Sequence, residues 1–214
     1  MRILSGMPGA EKLDRGRIVA AAVELVQRQG LPALSLRAVA ARLGVTPMAL
    51  YRHLPHGEAL SAAVIAALAA ALPEVPRKGP VRVRLQRFAH ALRTTLAAAP
   101  GFSHYLLLHW FELPDALERI EQLLAAAGEL GLEGFEAVAA ANAVFTFVLM
   151  RVQLEEALRG AGALRRTLSG LQKTRTRLRR LEAHAREYET ARTDAHFDYG
   201  LKLILDGIGK RRRR

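Results

Sequence analysis

The sequence contains no cysteine, which excludes a disulfide framework, a thiolate metal site and a cysteine nucleophile. It also lacks long hydrophobic runs: the longest uncharged apolar stretches, residues 59–72 and 137–150, have 14 residues each and are shorter than a membrane span. The first residues have no apolar core of the kind that a secretory signal needs. These absences predict a soluble, cytoplasmic protein that makes no membrane contact.

Positive charge is abundant but unevenly spread along the chain, whose formal net charge is +12. Residues 1–72 carry +4 and residues 73–163 carry −1, whereas residues 164–192 carry +6 and the tail 210–214 adds +5. Such a field favours association with DNA. The basic run at 165–192 is also typical of a solvated helix face, and the tail fits either a phosphate-binding arm or a solubilising end.

Apolar residues between positions 36 and 50 follow the pattern of a helix-turn-helix. They recur at three- and four-residue spacing, stop at a glycine and resume after a three-residue turn: Leu36, Val39, Ala40, Leu43, then Gly44, then Val45, Ala49 and Leu50. Ser35 is placed to cap the first helix, and Gly44 suits the position just after its end. Thr46 is predicted as a second N-cap and Pro47 as the first residue of a short helix that ends near His53.

The start of that short helix carries small residues, which permits close approach to the floor of a DNA major groove. Thr46, Pro47, Met48 and Arg37 are therefore predicted to read or approach bases, whereas Tyr51, Arg52 and His53 are predicted to hold phosphates. The complete set of candidate DNA-binding residues is Ser35, Arg37, Thr46, Pro47, Met48, Ala49, Tyr51, Arg52 and His53.

The segment from Arg17 to Leu60 resembles the DNA-binding domain of the TetR family of transcriptional regulators. The family pattern "lR.vA..LGVt...lYrH" reads LRAVAARLGVTPMALYRH here, and the likeness covers about the first third of the chain. One departure is that His56 and Gly57 precede Glu58 where the family has a cap residue and a lysine. The resemblance implies that one phosphate contact is missing and that the fourth helix has a weaker cap.

The chain is predicted to divide into a flexible N-terminal arm (1–13), a three-helix DNA-binding domain with a connector helix (14–72), a helical regulatory and dimerisation domain (80–209) and the basic tail (210–214). The first helix is predicted to begin at Asp14 and end at Gly30, with Ile18, Ala22, Leu25 and Val26 facing inward. The expected fold class is all-α, with an N-terminal helix-turn-helix domain and a C-terminal helical ligand-binding and dimerisation domain.

Two C-terminal segments, Phe135 to Leu158 and Asp194 to Ile208, are apolar on more than one side. A helix of that kind is buried on both sides, so one side is assigned to the domain core and the other to a partner subunit. By resemblance to the family, the two segments form the four-helix bundle of a homodimer.

The resemblance also implies a small-molecule effector in the C-terminal domain. Candidate pocket residues combine aromatic and polar groups at helical spacing: His104, Tyr105, Leu108, His109, Trp110, Phe111, Asn142, Phe145, Thr146, Leu149, Met150 and Gln153. Buried polar groups need partners, so Asn142, Thr146 and Gln153 indicate an apolar or aromatic effector with one or two polar groups. The alternative is that the aromatic residues are core and that Asn142 pairs with a backbone carbonyl or across the dimer.

No enzyme, metal or cofactor is predicted. His109 and Glu112 stand three residues apart, but no second Glu-x-x-His pair completes a di-metal site. The predicted function is therefore a ligand-responsive, sequence-specific repressor that a small molecule releases from a palindromic operator. The alternatives are a non-specific architectural DNA-binding protein and a helical-bundle small-molecule binder with a degenerate helix-turn-helix.

Overall fold

The computed structural model describes residues 13–158, 179–184, 187 and 193–210. Within these ranges the chain forms helices and turns without a strand, which confirms the all-α fold class. The predicted arm, apart from residue 13, most of the basic run and residues 211–214 of the tail lie outside the described residues. The chain separates into two compact units, Met1–Leu68 and Ala69–Arg214.

The first unit contains the predicted helix-turn-helix. Its helices are α1 (Arg15–Gln29), α2 (Leu36–Leu43), α3 (Pro47–Tyr51) and most of α4 (Gly57–Ala70), with a 3-10 turn at Leu31–Ala33. Asp14 caps α1 by accepting a hydrogen bond of 2.8 Å from the Arg17 amide, and Gly30, with φ at 84°, ends the helix. The buried side of α1 comprises Ile18, Ala21, Ala22, Leu25 and Val26, which include the four predicted residues.

The second unit is built around one long central helix. Its helices are α5 (Val81–Ala97), α6 (Phe102–His109), α7 (Pro114–Glu129), α8 (Gly134–Ala157), α9 (Arg179–Ala183) and α10 (Asp194–Lys210), with a 3-10 turn at Trp110–Glu112. The central helix is α8, which packs against α5, α6, α7 and α10. By length and composition α8 could cross a membrane, yet 44% of its most apolar 18-residue window is buried within the protein. Its place in the core accounts for its apolar sequence.

Charged and aromatic contacts fix the start of α10 against α5 and α8. Arg93 of α5 donates to Asp194 at 2.7 Å, pairs with Glu155 of α8 at 3.1 Å and lies over the ring of Phe197, 4.7 Å from its centroid. Phe197 itself is fully buried. Arg93 therefore connects three helices of this unit.

A second ionic contact holds α10 farther along its length. Asp206 accepts from Lys202 and pairs with Arg82 of α5, each at 2.6 Å. The hydrogen bond from Lys202, together with Arg82, holds the pKa of Asp206 below its usual range. Because the folded pKa is lowered, this contact stabilises the protein at neutral pH and is lost as the pH falls through that lowered pKa.

The packing of Gly200 against Phe147 gives a test of how closely α10 approaches α8. A Cβ atom on Gly200 would lie 2.8 Å from the ring of Phe147, so Gly200→Ala is expected to destabilise the protein by about 1–3 kcal/mol. The matched control is Gly128→Ala in α7, where a Cβ atom meets nothing within 4 Å. That change is expected to stabilise the protein by up to about 1 kcal/mol. Urea unfolding of both variants measures the difference; equal effects would contradict this packing.

Candidate nucleic-acid interface and effector site

The turn between α2 and α3 is held by backbone hydrogen bonds. Ser35 caps α2 by accepting from the Ala38 amide at 3.2 Å, as predicted. At the other end Gly44 adopts a left-handed conformation, with φ at 67°. The Val45 amide donates to the Ala40 carbonyl at 3.0 Å, and the Gly44 amide donates to the Ala41 carbonyl at 3.3 Å. This is the Schellman ending, and it turns the chain from α2 into α3 within three residues.

The short helix α3 differs from its prediction at both ends. Thr46 occupies the N-cap position, but its side chain makes no capping hydrogen bond; only its carbonyl takes part, accepting from the Ala49 amide at 3.0 Å. The helix ends at Tyr51 rather than near His53, because the amides of His53 and Leu54 both donate to the Leu50 carbonyl. Pro47 is the first helical residue, as predicted.

The candidate DNA-binding residues lie on the surface of the first unit. Leu50 is fully buried and fixes the orientation of α3, so the residues beside it point outward. Met48 is 72% exposed and Tyr51 is 45% exposed. Ala49 is half-buried, and the remaining candidates are exposed: Ser35, Arg37, Thr46, Pro47, Arg52 and His53.

An ion pair that the sequence did not indicate joins α1 to α2. Arg42 near the end of α2 donates to the carboxylate of Glu24 in α1. The hydrogen bond and the charge of Arg42 lower the pKa of Glu24. The pair therefore holds α2 on α1 above the acidic range and is lost on acidification through the lowered pKa.

The N-terminus of α4 is capped by His56, a residue that departs from the family pattern at this position. The His56 Nδ1 atom accepts a hydrogen bond of 3.1 Å from the Ala59 amide, which satisfies one free amide of the first turn. His56 thus takes the place of the family's cap residue.

Removing this cap is expected to destabilise the first unit. His56→Ala should lower the free energy of unfolding by about 0.5–2 kcal/mol, whereas His56→Asn, whose side chain can accept the same bond, should restore most of it. Thermal unfolding of the two variants at pH 7.5 provides the comparison. A loss as large in His56→Asn as in His56→Ala would rule out the capping role.

In the second unit, part of the predicted effector set comes together between α6 and α8. The His104 Nδ1 atom lies 3.4 Å from Oε1 of Gln153, and the rings of Tyr105 and His109 stack with centroids 4.5 Å apart. Phe145 and Leu149 of α8 are buried. Trp110 is half-buried at the end of α6, while Leu108 and Phe111 are exposed.

Three other predicted pocket residues lie on the exposed side of α8. Asn142, Thr146 and Met150 follow each other there at four-residue spacing. The Thr146 hydroxyl donates to the Asn142 carbonyl at 2.5 Å, so its polarity is satisfied within the helix. Their part in an effector site stays a prediction.

Buried polar atoms without hydrogen bonds occur on both helices of the α6–α8 contact. They include the Ser103 hydroxyl, the Nε2 atom of Gln153 and the Nδ1 atom of His109. The His109 atom lies 3.3 Å from a carboxylate oxygen of Glu112 but outside hydrogen-bond geometry. Ser103 is fully buried. The sequence did not point to it, because a single serine within an apolar helix does not by itself indicate a binding site. A buried polar atom that has no hydrogen-bond partner lowers the stability of the folded protein.

Two grooves formed by described residues lie elsewhere in this unit. One of about 440 Å³ runs between α8 and α10 along Phe135, Ala139, Leu203 and Ile208. Another of about 480 Å³ lies between α5 and α10. Among the described residues no group of three or more His, Asp and Glu side chains is placed to hold a metal ion.

Comparison with known families matches both units. Residues 18–64 match the model described as bacterial regulatory proteins, tetR family, and residues 72–212 match the tetracyclin repressor-like C-terminal domain. This chain belongs to the TetR family. It is accordingly a transcriptional regulator, with a DNA-binding domain followed by the family's helical C-terminal domain.

Individual relatives support the same assignment over nearly the whole chain. This TetR-family chain is 31% identical to the tetracycline repressor protein class A from transposon 1721 of Escherichia coli, over 94% of this chain and 93% of the relative. Its fold is similar to that of ActR from Streptomyces coelicolor in complex with actinorhodin, with a TM-score of 0.75 and 22% identity. The match covers 95% of this chain and 100% of ActR. A TetR variant from Acinetobacter baumannii AYE in complex with minocycline is similar with a TM-score of 0.61 and 27% identity. That match covers 95% of this chain and 100% of the variant.

Proposed function

We propose that this TetR-family protein is a homodimeric, cytoplasmic repressor that binds a palindromic operator and is released from it by a small-molecule effector. The observation that carries the proposal is the surface of α3. Leu50 anchors α3, and Met48, Tyr51 and Arg52 remain exposed. The left-handed Gly44 fixes the turn that leads into this helix. A short helix that presents its N-terminal residues in this way suits a major groove, and a two-fold dimer suits two half-sites.

The outward face of α8 and α10 supports dimerisation. Large apolar side chains remain exposed along both helices: Phe135, Val138, Met150 and Leu154 on α8, and Tyr199 and Leu203 on α10. Phe135 is 85% exposed. Large apolar side chains exposed on two packed helices are typical of an interaction surface, and a second copy of the same face forms a four-helix bundle. We call this surface the dimer face.

The α6–α8 contact is the proposed effector site. The stacked Tyr105 and His109 rings offer an aromatic surface. The Ser103 hydroxyl and the Nε2 atom of Gln153 offer hydrogen bonds that the protein itself leaves unused. The predicted effector is therefore a flat aromatic compound with oxygen-bearing substituents. The minocycline and actinorhodin complexes of the two similar structures support that class.

Selection of bound DNA from a library of random duplexes tests the DNA-binding proposal and requires no assumption about the operator sequence. The expected result is a palindromic consensus whose half-site centres lie one helical turn, about 34–36 Å, or a multiple of it apart. Enrichment of every sequence alike would favour the alternative of an architectural DNA-binding protein. Recovery of no DNA at physiological salt would favour a small-molecule binder with a degenerate helix-turn-helix.

Displacement of the selected duplex by minocycline and by actinorhodin tests the effector class. At least one compound is expected to lower operator affinity in the wild type, because binding to one domain conformation shifts the population away from the DNA-bound one. Tyr105→Ala should weaken this response while operator affinity without compound stays unchanged. Release that is unaffected by Tyr105→Ala would place the effector elsewhere.

A further inference from the structure

The chain between α4 and α5, residues 71–80, contains no helix and is largely exposed. Two of its side chains are nevertheless buried, because Leu72 and Val75 are only 3% and 4% exposed. The segment lies entirely within the second unit and continues directly from α4, whose first turns belong to the DNA-binding unit. Buried irregular backbone needs partners for its amides and carbonyls.

Two side chains of α7 supply such partners. The Arg119 Nε atom donates to the Leu72 carbonyl at 3.2 Å, and the Gln122 Oε1 atom accepts from the Val75 amide at 2.8 Å. The two residues are three positions apart and therefore lie on the same face of α7. Arg119 is 5% exposed, which is rare for an arginine.

A third side chain, from α5, completes the set. Arg84 donates through Nε to the Pro76 carbonyl and through Nη1 to Glu129 of α7 at 2.6 Å. Three backbone groups within five residues of the segment are thus bound by long polar side chains rather than by secondary structure. Apolar packing alone would not require this arrangement.

We propose that Arg119, Gln122 and Arg84 form a latch that fixes the segment after α4 and thereby couples the second unit to operator binding. The proposal rests on the proposed function. The latch holds the C-terminal end of α4 in one position, and α4 continues into the helix-turn-helix unit. These three are positioning residues, since they act on DNA only through α4.

The position of α7 in the chain connects the latch to the proposed effector site. α7 begins at Pro114, immediately after the 3-10 turn that follows Tyr105 and His109, and it packs against that turn. Arg119 and Gln122 lie in its second and third turns. Adjacent, packed elements thus join α6 to the latch, and energetic coupling can travel along such a chain of packed side chains.

Gln122 offers a matched pair of variants. Gln122→Leu removes the acceptor and leaves the buried Val75 amide unpaired, whereas Gln122→Glu keeps an oxygen that can accept from it. Arg119→Met removes the donor to the Leu72 carbonyl and serves as a second test. Leu123→Ala, at a core residue of the same helix that is 2% exposed, lowers stability without altering these hydrogen bonds.

The experiment combines DNA affinity with a distance measurement on the full-length protein. Because the chain has no cysteine, Ala20→Cys, on the exposed side of α1, gives one spin-label site per subunit. Pulsed electron paramagnetic resonance then measures the distance between the two labels of a dimer. Affinities are measured for the best duplex recovered by selection and for a scrambled duplex.

Gln122→Leu and Arg119→Met are expected to broaden the distance distribution and to weaken binding to the selected duplex by about three- to thirtyfold. Affinity for the scrambled duplex should not change, and Gln122→Glu and Leu123→Ala should behave as the wild type. A narrow distribution with unchanged operator affinity in Gln122→Leu would overturn the latch, as would equal losses in Leu123→Ala. Failure to select a duplex, or a single label per particle, would instead refute the proposed function.

Discussion

Leu203→Arg is expected to convert the dimer into monomers and to lower operator affinity by about two to four orders of magnitude. Leu203 is 55% exposed on the dimer face of α10, beside the apolar groove that runs between α8 and α10. An arginine there would bring an unpaired charge into an apolar interface, where desolvation is strongly unfavourable. Each monomer would then hold only one half-site, and the gain from linking two binding units would be lost.

The control for this variant is Leu117→Arg. Leu117 lies on α7, outside the dimer face, and is 44% exposed, so the substitution has the same chemistry at a similar exposure. Analytical ultracentrifugation and fluorescence anisotropy should show wild-type assembly and operator affinity for Leu117→Arg. A Leu203→Arg protein that still sediments as a dimer would show that the dimer uses another surface.

The second large effect is expected on DNA recognition. Arg37→Ala should lower affinity for the selected duplex and relax the preference at one base position, because a bidentate arginine–guanine contact contributes about 1–3 kcal/mol of discrimination. Tyr51→Ala should instead weaken the selected and the scrambled duplex by similar factors, because a phosphate contact carries no sequence information.

Binding of both variants to duplexes with single base changes separates the two roles. The Arg37→Ala protein should accept a substitution at one position of each half-site that the wild type rejects. The Tyr51→Ala protein should keep the full wild-type preference at lower affinity. If both variants lose affinity equally on selected and scrambled DNA, the assignment of Arg37 to a base is wrong.

The helix-turn-helix was largely predictable because its determinants are local. The cap at Ser35, the left-handed Gly44 and the first helical residue Pro47 each act within four residues of the backbone that they fix. The Thr46 cap failed for a local reason as well, because its hydroxyl makes no bond to the first turn of α3. The residue type alone does not determine whether the Thr46 side chain adopts the rotamer that faces the first turn of α3.

The candidate effector site was only partly predictable, since periodicity groups residues by face without saying which neighbour each face meets. Asn142, Thr146 and Met150 share the exposed side of α8, but their spacing does not identify the element or molecule that this side meets. Contacts between distant positions are equally hidden in the sequence. Arg93 and Asp194, 101 residues apart, illustrate this. The buried arginines Arg84 and Arg119 would be assigned to the surface from residue type alone.

Fluorescence anisotropy across a salt series tests sequence-specific DNA binding by this TetR-family regulator without an intermediate step. The wild-type protein is titrated with the selected duplex and with a scrambled duplex of equal length and composition. The predicted result is a preference of about a hundredfold or more that survives near-physiological salt. Equal affinities with parallel salt dependence would contradict the claim and favour the architectural alternative.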